Sequence, residues 1–143
     1  MKVLVMITGS GADEDKIAPT EQMFVEMNAY NQQLAEAGIM LGGEGLLPTS
    51  TGAKVVFDKG VTTVVDGPFT EAKEIVAGYW IWEVSSLEEA VEWAKRCPHG
   101  DELTSSLQIR RLATVEDFGD AYTPEVAAQE DRVAATIRAQ QGA

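Results

Sequence analysis

Two short segments constrain this chain more than any other feature. Residues 2–8 (KVLVMIT) are apolar or β-branched at every position after the first, and residues 76–84 (VAGYWIWEV) alternate Tyr79, Ile81 and Glu83 with Trp80, Trp82 and Val84. Successive side chains of a strand point to opposite faces, so a strand with large apolar groups at odd and even positions has to be covered on both sides. Both segments therefore read as central strands, and the rest of the sequence has to supply two coverings.

One covering is helical. After Pro19-Thr20, the residues Met23, Met27, Tyr30 and Leu34 recur at i, i+4, i+7 and i+11 and stop near Gly38, the spacing of an amphipathic helix. Ser86-Leu87-Glu88-Glu89 offers a capping box for a second helix with Leu87, Ala90, Val91 and Ala94 on its apolar side, and Cys97-Pro98 ends it. Residues 39–47 are extended and Gly-punctuated, and AKVVF and VTTVV flank Asp58-Lys59-Gly60 as a hairpin. Residues 106–112 alternate Leu107 and Ile109 with Ser106, Gln108 and Arg110, the one-sided pattern of an edge strand.

This order predicts an α+β, ferredoxin-like (split βαβ) fold, an antiparallel sheet with both helices on one face and an inserted hairpin. Two helices leave the second face bare. The expected cover is the same face of a second copy, a homodimer through sheet faces of the dimeric α+β barrel type. Thr123-Pro124, followed by the apolar line Val126, Val133 and Ile137, predicts a C-terminal helix. The expected organisation is one domain over residues 1–113, with residues 114–143 an extension belonging to it or to the dimer contact.

A length of 143 residues suits a single core. Eleven basic against 23 acidic residues give a net charge of −12, which repels phosphate backbones and anionic lipid and argues against nucleic acid or a membrane as partner. No apolar run reaches the roughly 20 residues of a membrane span, and MKVLVMITG is too short for a secretory signal, so a cytoplasmic protein is expected. Cys97 is the single cysteine, which rules out an internal disulfide.

Candidate chemistry concentrates in residues 66–74, DGPFTEAKE, where three carboxylates, a lysine and an aromatic ring share one turn before the Trp-rich strand. Carboxylates gathered at the mouth of an apolar cavity can exchange protons or hold a polar ligand group. Asp66 and Glu71 are the candidate acid and base. Glu44, Phe69, Lys73, Glu74, Tyr79 and Arg110 are the candidate ligand contacts. The plainer reading is turn chemistry at Asp66-Gly67-Pro68 with a solvated charge cluster behind it. Gly42-Gly43-Glu44-Gly45 has the wrong spacing for a dinucleotide loop. Cys97-Pro98-His99 reads as a buried small side chain and a loop residue, and Trp80 with Trp82 as core or dimer packing. No cofactor and no metal is expected.

Asp66-Gly67-Pro68-Phe69-x-Glu71-x-Lys73-Glu74, with Gly43-Glu44-Gly45-Leu46 before it and Gly78-Tyr79-Trp80 and Ile109-Arg110-Arg111-Leu112 after it, resembles the DGPF branch of the YCII-related proteins. The resemblance implies a ferredoxin-like fold that dimerises through its sheets, says little about reaction, and implies a genetic link to extracytoplasmic-function sigma factors. Other branches carry a histidine on the first helix and an Asp-Pro after the second as an acid-base pair. Here Cys97-Pro98 stands at the second place, and Asn28, Tyr30 and Asn31 occupy the helix, so chemistry would fall on Asp66, Glu71 and Glu44. Three functions follow as expectations. The first is small-molecule binding near residues 66–74; the alternatives are a cofactor-free enzyme of the dimeric α+β barrel type and an interaction protein paired with such a sigma factor.

Overall fold

Strand β1 (Lys2–Gly9) lies at the centre of a four-stranded antiparallel sheet, as its two-sided pattern requires. The computed structural model describes residues 1–16 and 18–142, in two compact units, 1–112 and 113–143. In the first unit, helix α1 (Glu21–Glu36) leads to β2 (Met40–Gly45), and a separate hairpin of β3 (Ala53–Asp58) and β4 (Val61–Asp66) follows. Then come β5 (Ile75–Glu83), helix α2 (Leu87–Ala94) and β6 (Ser105–Arg111). The sheet order β2-β5-β1-β6 is the ferredoxin-like one, with β1 and β5 inside.

Local chemistry sets the element ends. Thr20 caps α1 by accepting the Met23 amide proton at 3.2 Å. The hairpin turns through Lys59 and Gly60, both with positive φ (49° and 85°), the handedness that matches the twist of the flanking strands. The capping box at α2 differs from expectation in one partner. Ser86 Oγ accepts the Glu89 amide proton as anticipated, but the Glu89 carboxylate reaches past Ser86 to the amide and hydroxyl of Ser85. Those bonds favour the ionised form and hold the Glu89 carboxyl below its usual range.

Register decides which face each side chain takes. Val3 opposes Trp82, and Val5 opposes Trp80 and Ile109, so these residues share the face beneath the helices with Tyr30, Leu34 and Ala90. Val3, Val5, Leu34 and Trp82 are fully buried, each contributing about 1.5–3 kcal/mol by the usual burial scale. Trp80 and Trp82 thus belong to the helix-covered core and not to a dimer contact. Trp80 Nε1 donates to Asn31 Oδ1 at 2.9 Å, and the Tyr30 hydroxyl donates to the Trp93 carbonyl at 2.7 Å, which ties α1 to β5 and α2. The opposite, outer face carries Leu4, Met6, Tyr79 and Ile81, all half-buried.

The second unit holds α3 (Pro124–Gln141), capped by the Thr123 hydroxyl accepting the Val126 amide proton, with Phe118 stacked on Tyr122 at 5.3 Å. No helix among the described residues is long and apolar enough to cross a membrane.

Candidate functional site

The turn at residues 66–74 is fastened to two loops. Thr49, in a short 3₁₀ turn (Thr49–Thr51), accepts the Phe69 amide proton on Oγ1 at 2.8 Å and donates its own hydroxyl proton to Glu14 Oε2 at 2.5 Å. Glu14 Oε1 accepts the Thr49 amide proton at 2.8 Å. On the other side, the Gly11 amide donates to the Ala72 carbonyl at 3.1 Å. A Cβ on Gly11 would meet the Phe69 carbonyl oxygen at 2.4 Å, so glycine is what lets these loops touch. Lys54 Nζ lies 4.8 Å from the Phe69 ring centre, a cation–π contact. The motif therefore works as a clasp between the loop after β1, the loop after β2 and the hairpin.

Three clefts converge on the segment between α2 and β6. The first, about 610 Å³, is lined by Lys16, Met23, Glu26, Met27, Pro98, His99 and Asp101 among others. The second, about 670 Å³, runs from Met27 past Cys97 and Pro98 to Ile7, Ser106 and Leu107. A third of about 210 Å³ lies between Ile7, Thr8, Asp13, Glu14, Leu103 and Thr104. Gly100 borders all three, so they form one groove past the end of β1. Its size suits a small organic ligand. Methionine, proline, isoleucine and leucine supply an adaptable apolar wall, and Thr104 and Ser105 supply hydroxyls, while that of Ser106 is engaged by Thr8 at 2.6 Å. Cys97 is half-buried there, and burial pushes its thiol up to about 11, so it is protonated at neutral pH.

The residues singled out from sequence occupy two other places. Asp66, Glu71, Lys73 and Glu74 are exposed on the turn and form no ion pair with a described residue, while Phe69 is half-buried under Lys54. Glu44, Tyr79 and Arg110 stand on the outer sheet face, Glu44 directly opposite Tyr79. Arg110 is three strand spacings from Glu44, about 14 Å, too far for a direct pair within one chain. None of these eight residues lines the three clefts. The link between turn and groove is Glu14, which lines the small cleft and holds Thr49. Sequence reasoning placed Met23 and Met27 on the apolar side of the first helix without giving them a site role, and did not single out Asp101 or Thr104. The signal available for them was the break at Cys97-Pro98, which leaves a loop facing the apolar side of α1. No cluster of three or more His, Cys, Asp or Glu among the described residues is arranged to hold a metal ion.

The YCII-related domain family matches residues 1–113, the whole of the first unit. The chain belongs to the YCII-related family. This YCII-related protein is also 32% identical over 93 residues to an uncharacterized protein of Rhizobium meliloti (strain 1021), an overlap covering 65% of this chain and 75% of that one.

Proposed function

We propose that this YCII-related protein binds a small organic molecule in the groove between α1 and the segment joining α2 to β6. The observation that carries the reading is the groove itself, with Met23, Met27 and Leu107 on its walls and hydroxyls at Thr104 and Ser105. Related branches carry their acid-base pair on the first helix and just after the second. Here Asn28, Tyr30 and Asn31 stand on α1 and Cys97-Pro98 after α2, and the groove takes Met23 and Met27 from α1, groups suited to holding an apolar body and poor at moving protons. The DGPF turn supports the groove by fixing the loop that carries Glu14. The protein does this as a symmetric pair, with the outer sheet faces of two copies together, because Leu4, Met6, Tyr79 and Ile81 are left half-covered in one chain.

Native mass spectrometry of protein purified gently from its own cells tests the reading. A defined small molecule should be retained, and Met27→Trp, which fills the groove, should lose it while Asp66→Asn keeps it. Retention by Met27→Trp together with loss in Asp66→Asn would move the site to the turn.

A further inference from the structure

The groove does not balance its charges. Glu26, on α1 between Met23 and Met27, and Asp101 and Glu102, on the segment after α2, all line the cleft of about 610 Å³. Glu26 takes a neutral donor, the side-chain amide of Gln22 at 2.9 Å, and none of the three carboxylates has an ion-pair partner among the described residues. The two lysines of the groove are already matched. Lys16 Nζ lies 2.7 Å from an Asp13 oxygen, and Lys95 Nζ lies 2.7 Å from a Glu92 oxygen. No arginine lines any of the three clefts. A molecule entering the groove therefore meets carboxylates that lack a counter-ion and ammonium groups that have one.

That imbalance selects the guest by its charge. An anion would meet the field of these carboxylates on top of the chain's net charge of −12. A metal ion needs its ligands converging on one point, and no group of three or more His, Cys, Asp or Glu among the described residues does so. A protonated amine has neither difficulty, because its N–H donors reach separate acceptors without a fixed coordination geometry. His99, which borders the same cleft, offers one more acceptor when its imidazole is neutral. Met23, Met27 and Pro98 stand beside the carboxylates and supply a wall for an apolar body, the methionines making favourable contacts with an aromatic ring. We infer that the groove takes a small organic cation, a protonated amine on an apolar body, with Glu26, Asp101 and Glu102 receiving the ammonium group. The inference rests on the groove reading proposed above and adds the charge of the molecule it holds.

Amide chemical-shift titration of the full chain tests it with three probes of one shape, the cation phenethylamine, the neutral phenethyl alcohol and the anion hydrocinnamate. Phenethylamine should shift the amides of Met27, Asp101 and Leu107 and bind about 10-fold more tightly than the alcohol at low salt, a gap that added salt narrows. Hydrocinnamate should bind most weakly. Glu26→Gln/Asp101→Asn/Glu102→Gln should bring the amine down to the affinity of the alcohol and leave the alcohol where it was; all three side chains are exposed, so the fold does not depend on them. Glu88→Gln/Glu125→Gln/Asp131→Asn removes the same charge from exposed positions outside the clefts and should keep the preference for the amine. A preference lost equally in both variants is the general pull of an acidic chain and overturns the inference. Alcohol and amine binding equally well in the groove, or the anion binding best there, overturns the cation and keeps the groove. Shifts confined to other surfaces, or none with any probe, overturn the groove reading and the inference together.

Discussion

The side-chain oxygen of Thr49 accepts the backbone amide proton of Phe69 at 2.8 Å, across 20 residues of chain. The same hydroxyl gives its proton to Glu14, so one atom joins the DGPF turn to the loop that lines the small cleft. Thr49→Val keeps the shape, removes both bonds, and leaves the Phe69 amide and one Glu14 oxygen without a partner. The expected loss is about 1–3 kcal/mol of unfolding free energy, read as a lower urea midpoint at constant slope. An unchanged midpoint would show that the clasp contributes nothing to stability.

Close approach sets a second expectation at the same turn. A Cβ on Gly67 would lie 1.6 Å from the Thr49 carbonyl oxygen, a backbone atom that cannot swing away, whereas a Cβ on Gly9 has nothing within 4 Å. Gly67→Ala should therefore lower the melting temperature by many degrees, and Gly9→Ala should leave it within a degree or two or raise it, since alanine restricts the unfolded chain. Equal melting temperatures for the two variants would contradict the packing of residues 49–51 on the turn.

The strand pattern made the sheet legible because covering both faces of β1 and β5 leaves few topologies. The same pattern could not say which face the helices take. Trp80 and Trp82 fit either a core or a dimer contact until the register with Val3 and Val5 puts them under α1. The chemistry was harder to read for a related reason. Residues 66–74 concentrate charge, which attracts attention in a sequence, but their backbone is engaged by Thr49 and Gly11, partners 20 and 61 residues away for Phe69 and Ala72. The groove is built from side chains that carry no motif, brought together by the sheet, so no spacing announces it.

Asn31 gives a sharp test of the core. Its Oδ1 accepts the proton of Trp80 Nε1 at 2.9 Å, and Trp80 is buried. Asn31→Leu keeps the volume and strands the indole N–H away from water, an expected cost of about 1–3 kcal/mol. Its tryptophan emission should shift to the blue, because the indole loses a polar partner. Asn31→Asp should restore much of the stability above the carboxylate range, since the acceptor returns. If Asn31→Leu were as stable as the native protein, the bond would be dispensable and the α1–β5 contact would rest on the Tyr30 and Trp80 rings alone.

Cys97 ties alkaline stability to the groove. Burial raises its thiol from 9.0 to about 11, so between those pH values the unfolded chain releases a proton that the folded chain keeps. Stability from this group is complete below pH 9 and is lost as pH climbs toward 11. Tyr30, raised by burial and then by the neighbouring Cys97, acts in the same direction, so a comparison with Cys97→Ala reads the thiol together with the part of the Tyr30 shift that the thiol causes. The melting temperature of Cys97→Ala should fall less steeply than that of the native protein above pH 9. Iodoacetamide should label native Cys97 at pH 7.5 on the order of 100-fold more slowly than the urea-unfolded chain, the ratio that two pH units of thiolate population set. A molecule seated against Ile7, Met27 and Leu107 should slow labelling further, which makes Cys97 a built-in reporter of groove occupancy. Labelling as fast in the folded chain as in the unfolded one would place the thiol in open solvent and remove it from the groove wall.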